Sequence, residues 1–344
     1  MKSLQLVAAR VLEPRDTPDP PDPGPGEVLV RIRAVGICGS DMHHYLEGSV
    51  AGTVAQFPAI LGHEPAGEIA GVGPGVENLK TGTRVAVEPA ITCRKCEPCL
   101  SGHQNRCENS IFLGGSQQPG LLREYAVVPR RNVAVIPDDM DFPTATVAEP
   151  LAVLLHSLDL AKLQLGETVL VLGAGPIGLL AVAVSKLAGA GSIVVTDQIP
   201  ERLALAKKMG ADVAVNFSQE SVADAVRDVT GGKGAHVIFD AAGKPESIND
   251  GLESARAGAR MVVIGIPSQQ QVPVNFWRGL EREITIHVQK RSNGNDHLAI
   301  EMLHRKLIDA SALVSHRFPL EDGAKAFQAV AHYSDGVAKA VIEL

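Results

Sequence analysis

Five cysteines are the residues in this chain whose types and spacing point most directly to chemistry. Four of them follow a C-x2-C-x2-C-x7-C pattern, namely Cys93, Cys96, Cys99 and Cys107. Thiolates spaced in this way on a tight loop can converge on one tetrahedral ion, and four of them make the closed site of a structural Zn²⁺. An iron–sulfur cluster is the alternative, because it also takes four thiolates. The odd number of cysteines argues against a disulfide framework.

The fifth cysteine, Cys38, belongs to a second candidate metal site. It is part of a Gly-Ile-Cys-Gly-Ser-Asp-Met-His-His segment over residues 36–44, and a Gly-His-Glu-Pro segment follows at 62–65. Cys38, His63 and Glu64 offer one sulfur, one nitrogen and one oxygen ligand. Three protein ligands with an open fourth position are typical of a catalytic zinc. The alternative for Cys38 is a small buried hydrophobic residue without a ligand role.

The middle of the chain predicts a dinucleotide-binding unit. Thr168–Leu172 has the composition of a strand buried on both faces, and Ser192–Asp197 has that of a second strand. An apolar helix is predicted between them, over residues 179–187. The turn before this helix consists of glycines and apolar residues, with Gly173, Gly175, Pro176, Ile177 and Gly178 as its candidate cofactor contacts. Glycines here let the backbone approach a pyrophosphate at the positive end of the helix.

Asp197 ends the second of these strands, 19 residues after Gly178 (197 − 178). A carboxylate at this place is expected to accept hydrogen bonds from the adenosine ribose and to repel a 2′-phosphate, so NAD is favoured over NADP. Arg202 lies nearby in the sequence and is the candidate that could serve a phosphate instead. The alternative for Asp197 is a helix N-cap or turn residue.

Four more strands are predicted, over residues 213–216, 236–240, 260–265 and 283–288, with helices over 201–209 and 221–229. Six strands alternating with helices predict a doubly wound parallel sheet of the α/β class. The Gly-Gly-Lys-Gly segment at 231–234 lacks the frame of a phosphate-binding loop, so we interpret it as a turn.

Charge and composition exclude several classes of partner. The 344 residues include 32 Lys plus Arg against 39 Asp plus Glu, which gives a net charge of −7, and only 3% of the residues are aromatic. Such a surface argues against nucleic acid or an anionic membrane as the main partner. The N-terminal residues lack a signal-peptide pattern, and the longest apolar stretch is too short to span a bilayer. We therefore expect a cytoplasmic protein.

Taken together, these motifs resemble the zinc-dependent medium-chain dehydrogenase/reductases over essentially the whole chain. The matching landmarks are Cys38-Gly-Ser-Asp, Gly62-His63-Glu64, the four-cysteine lobe, Glu149-Pro150 and the glycine turn. The resemblance implies a GroES-like, β-rich catalytic domain over residues 1–150, completed by 289–344, and a Rossmann NAD-binding domain over 151–288. It also implies a homodimer or homotetramer.

Within this family, Glu149 makes the chain more similar to the sorbitol (polyol) dehydrogenases than to the alcohol-dehydrogenase-type members. Alcohol-dehydrogenase-type members carry a zinc-binding cysteine at this landmark, whereas polyol dehydrogenases carry Glu-Pro. The resemblance implies that Glu149 binds the zinc directly or through water; apart from the family it would be a helix-entry acid. His44 and residues 290–293 depart from the sorbitol-type pattern, in which a Tyr and an Arg-Tyr pair stand at these places. These departures bear on the substrate and not on the zinc chemistry.

The activity implied by the resemblance is transfer of hydride from a secondary alcohol or polyol to NAD, which gives a ketone. One zinc is catalytic and acts as a Lewis acid, and the other is structural. Ser40 and His43 occupy the places that the family uses to relay the substrate proton through the ribose hydroxyls. The alternatives are a turn hydroxyl and a surface histidine. A threonine-dehydrogenase-like enzyme, a general alcohol dehydrogenase and an NAD-binding zinc protein without turnover remain as alternative functions.

Overall fold

The computed structural model describes residues 1–50 and 52–344. Over this range the chain forms two compact units. The first comprises Met1–Ala152, Asn293–Lys306 and Ala310–Leu344, and the second comprises Val153–Ser292 and Leu307–Asp309. None of the helices in this part of the chain combines the length and the apolar character that crossing a membrane requires.

The first unit begins with strands joined by loops and short helices. Its strands are β1 (Lys2–Ala8), β2 (Val11–Asp16), β3 (Glu27–Gly36), β4 (Ser49–Val50), β5 (Thr53–Val54), β6 (Ala59–Ile60), β7 (Glu64–Val72), β8 (Arg84–Val87), β9 (Ala90–Ile91), β10 (Ile111–Phe112), β11 (Tyr125–Pro129) and β12 (Val133–Val135). Its helices are α1 (Gly39–Glu47), α2 (Glu97–Leu100), α3 (Phe142–Ala145) and α4 (Ala148–Ala161). The boundary between the two units falls within α4.

Strands and helices alternate in the second unit. The strands are β13 (Thr168–Leu172), β14 (Ser192–Asp197), β15 (Val213–Asn216), β16 (Ala235–Asp240), β17 (Ala255–Val263) and β18 (Thr285–Val288). The helices are α5 (Pro176–Leu187), α6 (Pro200–Lys208), α7 (Val222–Thr230), α8 (Pro245–Ser254) and α9 (Phe276–Glu281). The chain then returns to the first unit in α10 (Asp296–His304), α11 (Ala310–Leu313), β19 (Val314–Pro319), α12 (Gly323–His332) and β20 (Lys339–Glu343).

A seven-stranded sheet organises the first unit, with β3 near its centre. Strand β3 pairs antiparallel with β7 and β20, and with β11 at its N-terminal end. Val28, Val30 and Ile32 alternate into the core, which is the period-two pattern of a strand with one buried face. Gly36, the last residue of β3, pairs with Glu64, the first residue of β7. The segments next to this pair are therefore held close together.

The second unit contains a six-stranded sheet in the order β15-β14-β13-β16-β17-β18. All of its strand pairs are parallel. The first strand of the unit lies inside the sheet, and the chain builds outwards from it in both directions. All five residues of β13 are buried, as its continuous Val and Leu run predicts. This strand order confirms the doubly wound α/β sheet predicted from the sequence.

Element boundaries differ from the prediction at a few places. The strand predicted from residue 283 begins at Thr285, because Glu283 has a φ of 51° that interrupts extended backbone. The helix predicted from residue 179 begins at Pro176, since proline suits a first helical turn. The strand predicted from residue 260 begins at Ala255. Residues 231–234 form the predicted turn, in which Gly231 ends α7 in the left-handed region with a φ of 60°.

In the turn between β13 and α5, Gly178 is packed more tightly against the neighbouring backbone than Gly175 is. A Cβ added to Gly178 would lie 1.8 Å from the carbonyl oxygen of Gly173. By contrast, the atom nearest to a Cβ on Gly175 would be a guanidinium nitrogen of Arg202, at 3.9 Å. Close packing of the turn backbone on α5 therefore requires glycine at position 178.

We expect Gly178→Ala to lower the free energy of unfolding by about 1–3 kcal/mol, because the backbone carbonyl of Gly173 must move to admit the methyl group. The matched variant Gly175→Ala should change stability far less. Chemical denaturation followed by circular dichroism measures both changes. Equal stability of the two variants would contradict this account of the turn.

Candidate active site

Cys38, His63 and Glu64 come together at one end of the sheet in the first unit. Cys38 follows β3 and stands at the N-cap of α1, whereas Glu64 begins β7 and His63 precedes it. One possible ligand atom from each of the three residues lies within 4.8 Å of the other two. His63 and Glu64 are buried and Cys38 is half-buried. The structure thus brings together the three residues that the sequence predicts as ligands of one metal.

Asp41 fixes the orientation of the His63 ring. Its buried carboxylate accepts hydrogen bonds from the backbone amides of Cys38 and Gly62, both at 3.0 Å. Atom Nδ1 of His63 lies 3.5 Å from Oδ1 of Asp41, so Nε2 is the nitrogen left for a metal. Burial opposes a charge on His63, but Asp41 and Cys38 raise the pKa of His63 well above its usual value. A metal ion at Nε2 would take the place of that proton.

Asp41 was not predicted from the sequence as part of this site, and Lys339 is a second residue that was not. Its Nζ forms an ion pair with Oε2 of Glu64 and donates a hydrogen bond to the carbonyl oxygen of Ile37 at 3.2 Å. Both charged side chains are only 1% exposed. The sequence signal that could have identified Lys339 is that it is a single basic residue followed directly by the apolar residues of β20. Asp41 could have been found because it is an acidic residue three positions after the helix N-cap Cys38. An acid at that position commonly accepts a hydrogen bond from the backbone amide of the N-cap residue in a capping box.

Glu149 lies in the first turn of α4 and stands apart from the three clustered residues. Burial and the carboxylates of Glu64 and Glu88 raise the pKa of Glu149 to about 8, although His63 opposes the shift. Glu149 and Glu88 line a cavity of about 220 Å³ in the first unit, together with Asp296. Glu149 is therefore close enough for the charges of His63 and Glu64 to affect its pKa, but its carboxylate is not in the group of ligand atoms that lie within 4.8 Å of one another.

The candidate relay residues project from the first turns of α1. Oγ of Ser40 lies 3.4 Å from Nε2 of His63, so this hydroxyl is beside the clustered ligand atoms. Nδ1 of His43 lies 3.4 Å from Oε1 of Glu47, and 27% of the His43 side chain is exposed. His44, one of the departures from the sorbitol-type pattern, is buried, with its Nε2 3.1 Å from Oγ of Ser116.

The four remaining cysteines converge in a loop of the first unit. Their sulfur atoms all lie within 4.8 Å of one another, with the Cys107 sulfur 3.5 Å from that of Cys93 and 3.8 Å from that of Cys96. Thiolates bound at 2.3 Å to a tetrahedral zinc lie about 3.8 Å apart, so the spacing fits that ion. Backbone amides of Lys95 and Cys96 lower the pKa of the Cys93 thiol to about 6. Burial raises the pKa of the Cys99 thiol to about 12.

Asn293, from the second departure at residues 290–293, contributes to the same lobe. Its Nδ2 donates to the carbonyl oxygen of Gly102 at 3.0 Å, and its Oδ1 accepts from the amide of Asn105 at 3.4 Å. This part of the departure from the sorbitol-type pattern therefore has a structural use in the four-cysteine lobe.

The candidate cofactor residues of the second unit surround the glycine turn. The Asp197 carboxylate is 7% exposed and accepts hydrogen bonds from the backbone amides of Ala174 at 2.8 Å, Gln198 at 2.8 Å and Ile199 at 3.0 Å. The guanidinium of Arg202 lies near Gly175. Gly175 is the N-cap of α5 and Pro176, followed by Ile177, opens the helix. A pyrophosphate fits this glycine cradle at a helix N-terminus.

Comparison with known proteins places the whole chain in one family. The family model described as the alcohol dehydrogenase GroES-like domain matches residues 24–138, and that described as zinc-binding dehydrogenase matches residues 176–304. A sorbitol dehydrogenase of Bacillus subtilis (strain 168) is 38% identical over 322 residues, which is 94% of this chain and 91% of the relative.

Solved structures match this chain over its entire length, among them two dehydrogenases with a bound cofactor. An alcohol dehydrogenase from Escherichia coli CFT073 in complex with NADH has 32% identity and a TM-score of 0.89, and the match covers 100% of this chain and 99% of that one. A zinc-binding dehydrogenase from Sinorhizobium meliloti 1021 bound to NADP has 28% identity and a TM-score of 0.89, with the same coverage. The GroES-like and Rossmann folds implied by the sequence are thereby confirmed. The chain belongs to the zinc-dependent medium-chain dehydrogenase/reductases, among the polyol dehydrogenases of that family.

Proposed function

We propose that this enzyme oxidises a secondary hydroxyl group of a polyol to a ketone with NAD, at a zinc held by Cys38, His63 and Glu64. The convergence of these three ligand atoms within 4.8 Å carries the proposal. One thiolate, one imidazole and one carboxylate leave a fourth position for a hydroxyl. Zinc in such a site supplies a Lewis acid that makes a bound hydroxyl more acidic, and nicotinamide supplies the hydride acceptor.

The residues around this fourth position have separate proposed roles in proton transfer and in positioning the zinc ligands. Ser40, with its hydroxyl 3.4 Å from Nε2 of His63, is placed to accept the substrate proton. His43 lies one helical turn further on and is partly exposed, so it is suited to pass a proton to solvent. Asp41 keeps the His63 ring in one orientation. Because Glu149 stands outside the ligand cluster, we propose that it acts on the zinc through water.

A second zinc, bound by Cys93, Cys96, Cys99 and Cys107, is proposed to be structural. The sulfur spacing fits four zinc thiolates, and a closed four-ligand set leaves no position for substrate. The loop has little regular structure of its own, with only the four-residue helix α2 and a short 3-10 helix at Gln104–Arg106. A metal cross-link would order such a loop.

NAD is the proposed cofactor because the acidic residue at the end of β14 faces the glycine turn. Relatives hold either NADH or NADP, so the choice must depend on residues of this chain. The Asp197 carboxylate, bound to the amide of Ala174, puts a negative charge against the turn where a 2′-phosphate would need a cation. Arg202, whose guanidinium lies near Gly175, is proposed to contact the pyrophosphate.

The proposed substrate class is a polyol, since a sorbitol dehydrogenase is 38% identical to this chain. We favour this class over a hydroxy amino acid on that similarity. A cytoplasmic location is also proposed, on the expectation drawn from the sequence.

A homo-oligomer is proposed through the exposed edge of the parallel sheet. Strand β18 is the last strand in the sheet order, and 81% of Val288 is exposed there. Phe276, Trp277 and Leu280 of α9 are also between 62% and 70% exposed. An unpaired strand edge beside exposed apolar side chains is a surface that a second copy would cover. Such a contact would give a homodimer, or one interface of a homotetramer.

We expect Cys38→Ala to lose one of two zinc ions per chain and to lower NAD-dependent polyol turnover by at least about a hundredfold, because the hydroxyl then lacks its Lewis acid. Metal analysis and NADH absorbance with a panel of polyols, secondary alcohols and hydroxy amino acids measure both effects. The matched variant Cys99→Ala should lose the other zinc. Normal turnover of Cys38→Ala with a single zinc would refute the proposed function.

Asp197→Ala should reduce the ratio of kcat/KM with NAD to kcat/KM with NADP by at least about tenfold, since the charge that repels a 2′-phosphate is removed. Steady-state kinetics with both cofactors measures the ratio. Asp212→Ala is the control, because Asp212 also accepts a backbone amide, from Ile193 at 2.8 Å, but at the other end of β14. An unchanged ratio in Asp197→Ala would mean that the cofactor is selected elsewhere.

Val288→Glu should reduce the native mass to that of the 36.2 kDa monomer, because a buried carboxylate at the strand edge opposes association. Light scattering after size-exclusion chromatography measures the mass. Leu165→Glu changes a residue that is 87% exposed outside this edge, so it should leave the mass unchanged. An oligomer that survives Val288→Glu would place the interface on another surface.

A further inference from the structure

Lys339 is a buried cation to which the proposed function gives no task. It begins β20, its side chain is 1% exposed, and its Nζ contacts Oε2 of Glu64 and the carbonyl oxygen of Ile37. Removing an ion pair from water is unfavourable, and apolar residues at such a place are often at least as stabilising. The carboxylate of Glu64 and the carbonyl oxygen of Ile37 are both acceptors, so the site offers a partner of opposite charge and a hydrogen bond to the buried cation.

Gly36 provides the space in which this ion pair forms. In the sheet, Gly36 pairs with Glu64 of β7 on one side and with Val341 of β20 on the other. A Cβ at position 36 would lie 2.2 Å from Oε2 of Glu64 and 2.9 Å from Cε of Lys339. The two charged side chains therefore meet, from the two neighbouring strands, over the position where β3 lacks a side chain.

We propose that Lys339 is a positioning residue for the metal ligand Glu64, and that it holds Oε2 over Gly36 so that the carboxylate binds the metal through its other oxygen alone. This inference rests on the proposed metal site at Cys38, His63 and Glu64. The ammonium group also offsets one of the two negative charges that Cys38 and Glu64 bring to the ion. Without it, the Glu64 carboxylate is free to turn and to present both oxygens.

Cobalt substitution tests this assignment by a property other than activity. The d–d absorption of Co²⁺ reports the number and type of its ligands, and the difference between wild type and Cys38→Ala isolates this site from the four-cysteine site. We expect Lys339→Met to shift these bands and to change the Co²⁺ affinity, measured by chelator competition, at least about tenfold. In a Glu64→Gln background, Lys339→Met should change the affinity less than about twofold, since the group it positions is altered.

Gly36→Ala tests the same idea with both charges present. The added Cβ must displace the Oε2 end of Glu64, so the cobalt bands should shift as they do in Lys339→Met. The double variant Glu64→Gln/Lys339→Met removes both charges of the ion pair at once, so it is expected to fold even if Lys339→Met does not. Lys325→Met is the control, because Lys325 forms an exposed ion pair with Asp322 at 2.7 Å, and it should leave the bands unchanged.

The outcomes separate this inference from the proposed function. If wild type shows no cobalt absorption that depends on Cys38, the metal site itself is wrong. If wild type binds Co²⁺ through Cys38 but Lys339→Met and Gly36→Ala keep its bands and affinity, the positioning role is refuted and the metal site stands. If Lys339→Met changes the Co²⁺ affinity as much in the Glu64→Gln background as it does in wild type, a role that acts through Glu64 is also refuted.

Discussion

The first unit holds several acidic groups close together in a region that water scarcely reaches. Cys38, Glu64 and Asp41 each carry or can carry a negative charge, and Glu64 and Asp41 are at most 1% exposed. Buried charges of like sign are stable only when cations or hydrogen bonds offset them. Two backbone amides serve Asp41, and Lys339 serves Glu64. The divalent ion proposed among Cys38, His63 and Glu64 would complete this balance.

The sheet of the first unit brings the charges together from distant parts of the chain. Strand β3 leads to Cys38, β7 starts at Glu64, and β20 supplies Lys339 from 302 residues beyond Ile37. Gly36, between the two outer strands, has no side chain to separate them. The position of the proposed metal ligands thus depends on the register of three adjacent strands. A shift of one residue would turn Glu64 or Lys339 to the opposite face of the sheet.

The sequence was sufficient for the features that depend on short-range patterns. Runs of Val, Leu and Ile predicted β13, β14 and β15 with the bounds that the structure has, and cysteine spacing predicted which sulfur atoms converge. Lys339 was not predicted, because its partner Glu64 is distant in the chain and only strand pairing brings them together. The three amides that Asp197 binds could not be read from the sequence either, since they depend on the path of two loops.

Anomalous scattering from a crystal of the zinc-loaded protein, recorded on both sides of the zinc absorption edge, tests the central claim most directly. The account predicts one zinc peak within bonding distance of Cys38, His63 and Glu64, and a second at the centre of the four-cysteine lobe. A single peak in the cysteine lobe, with no metal beside Cys38, would contradict it.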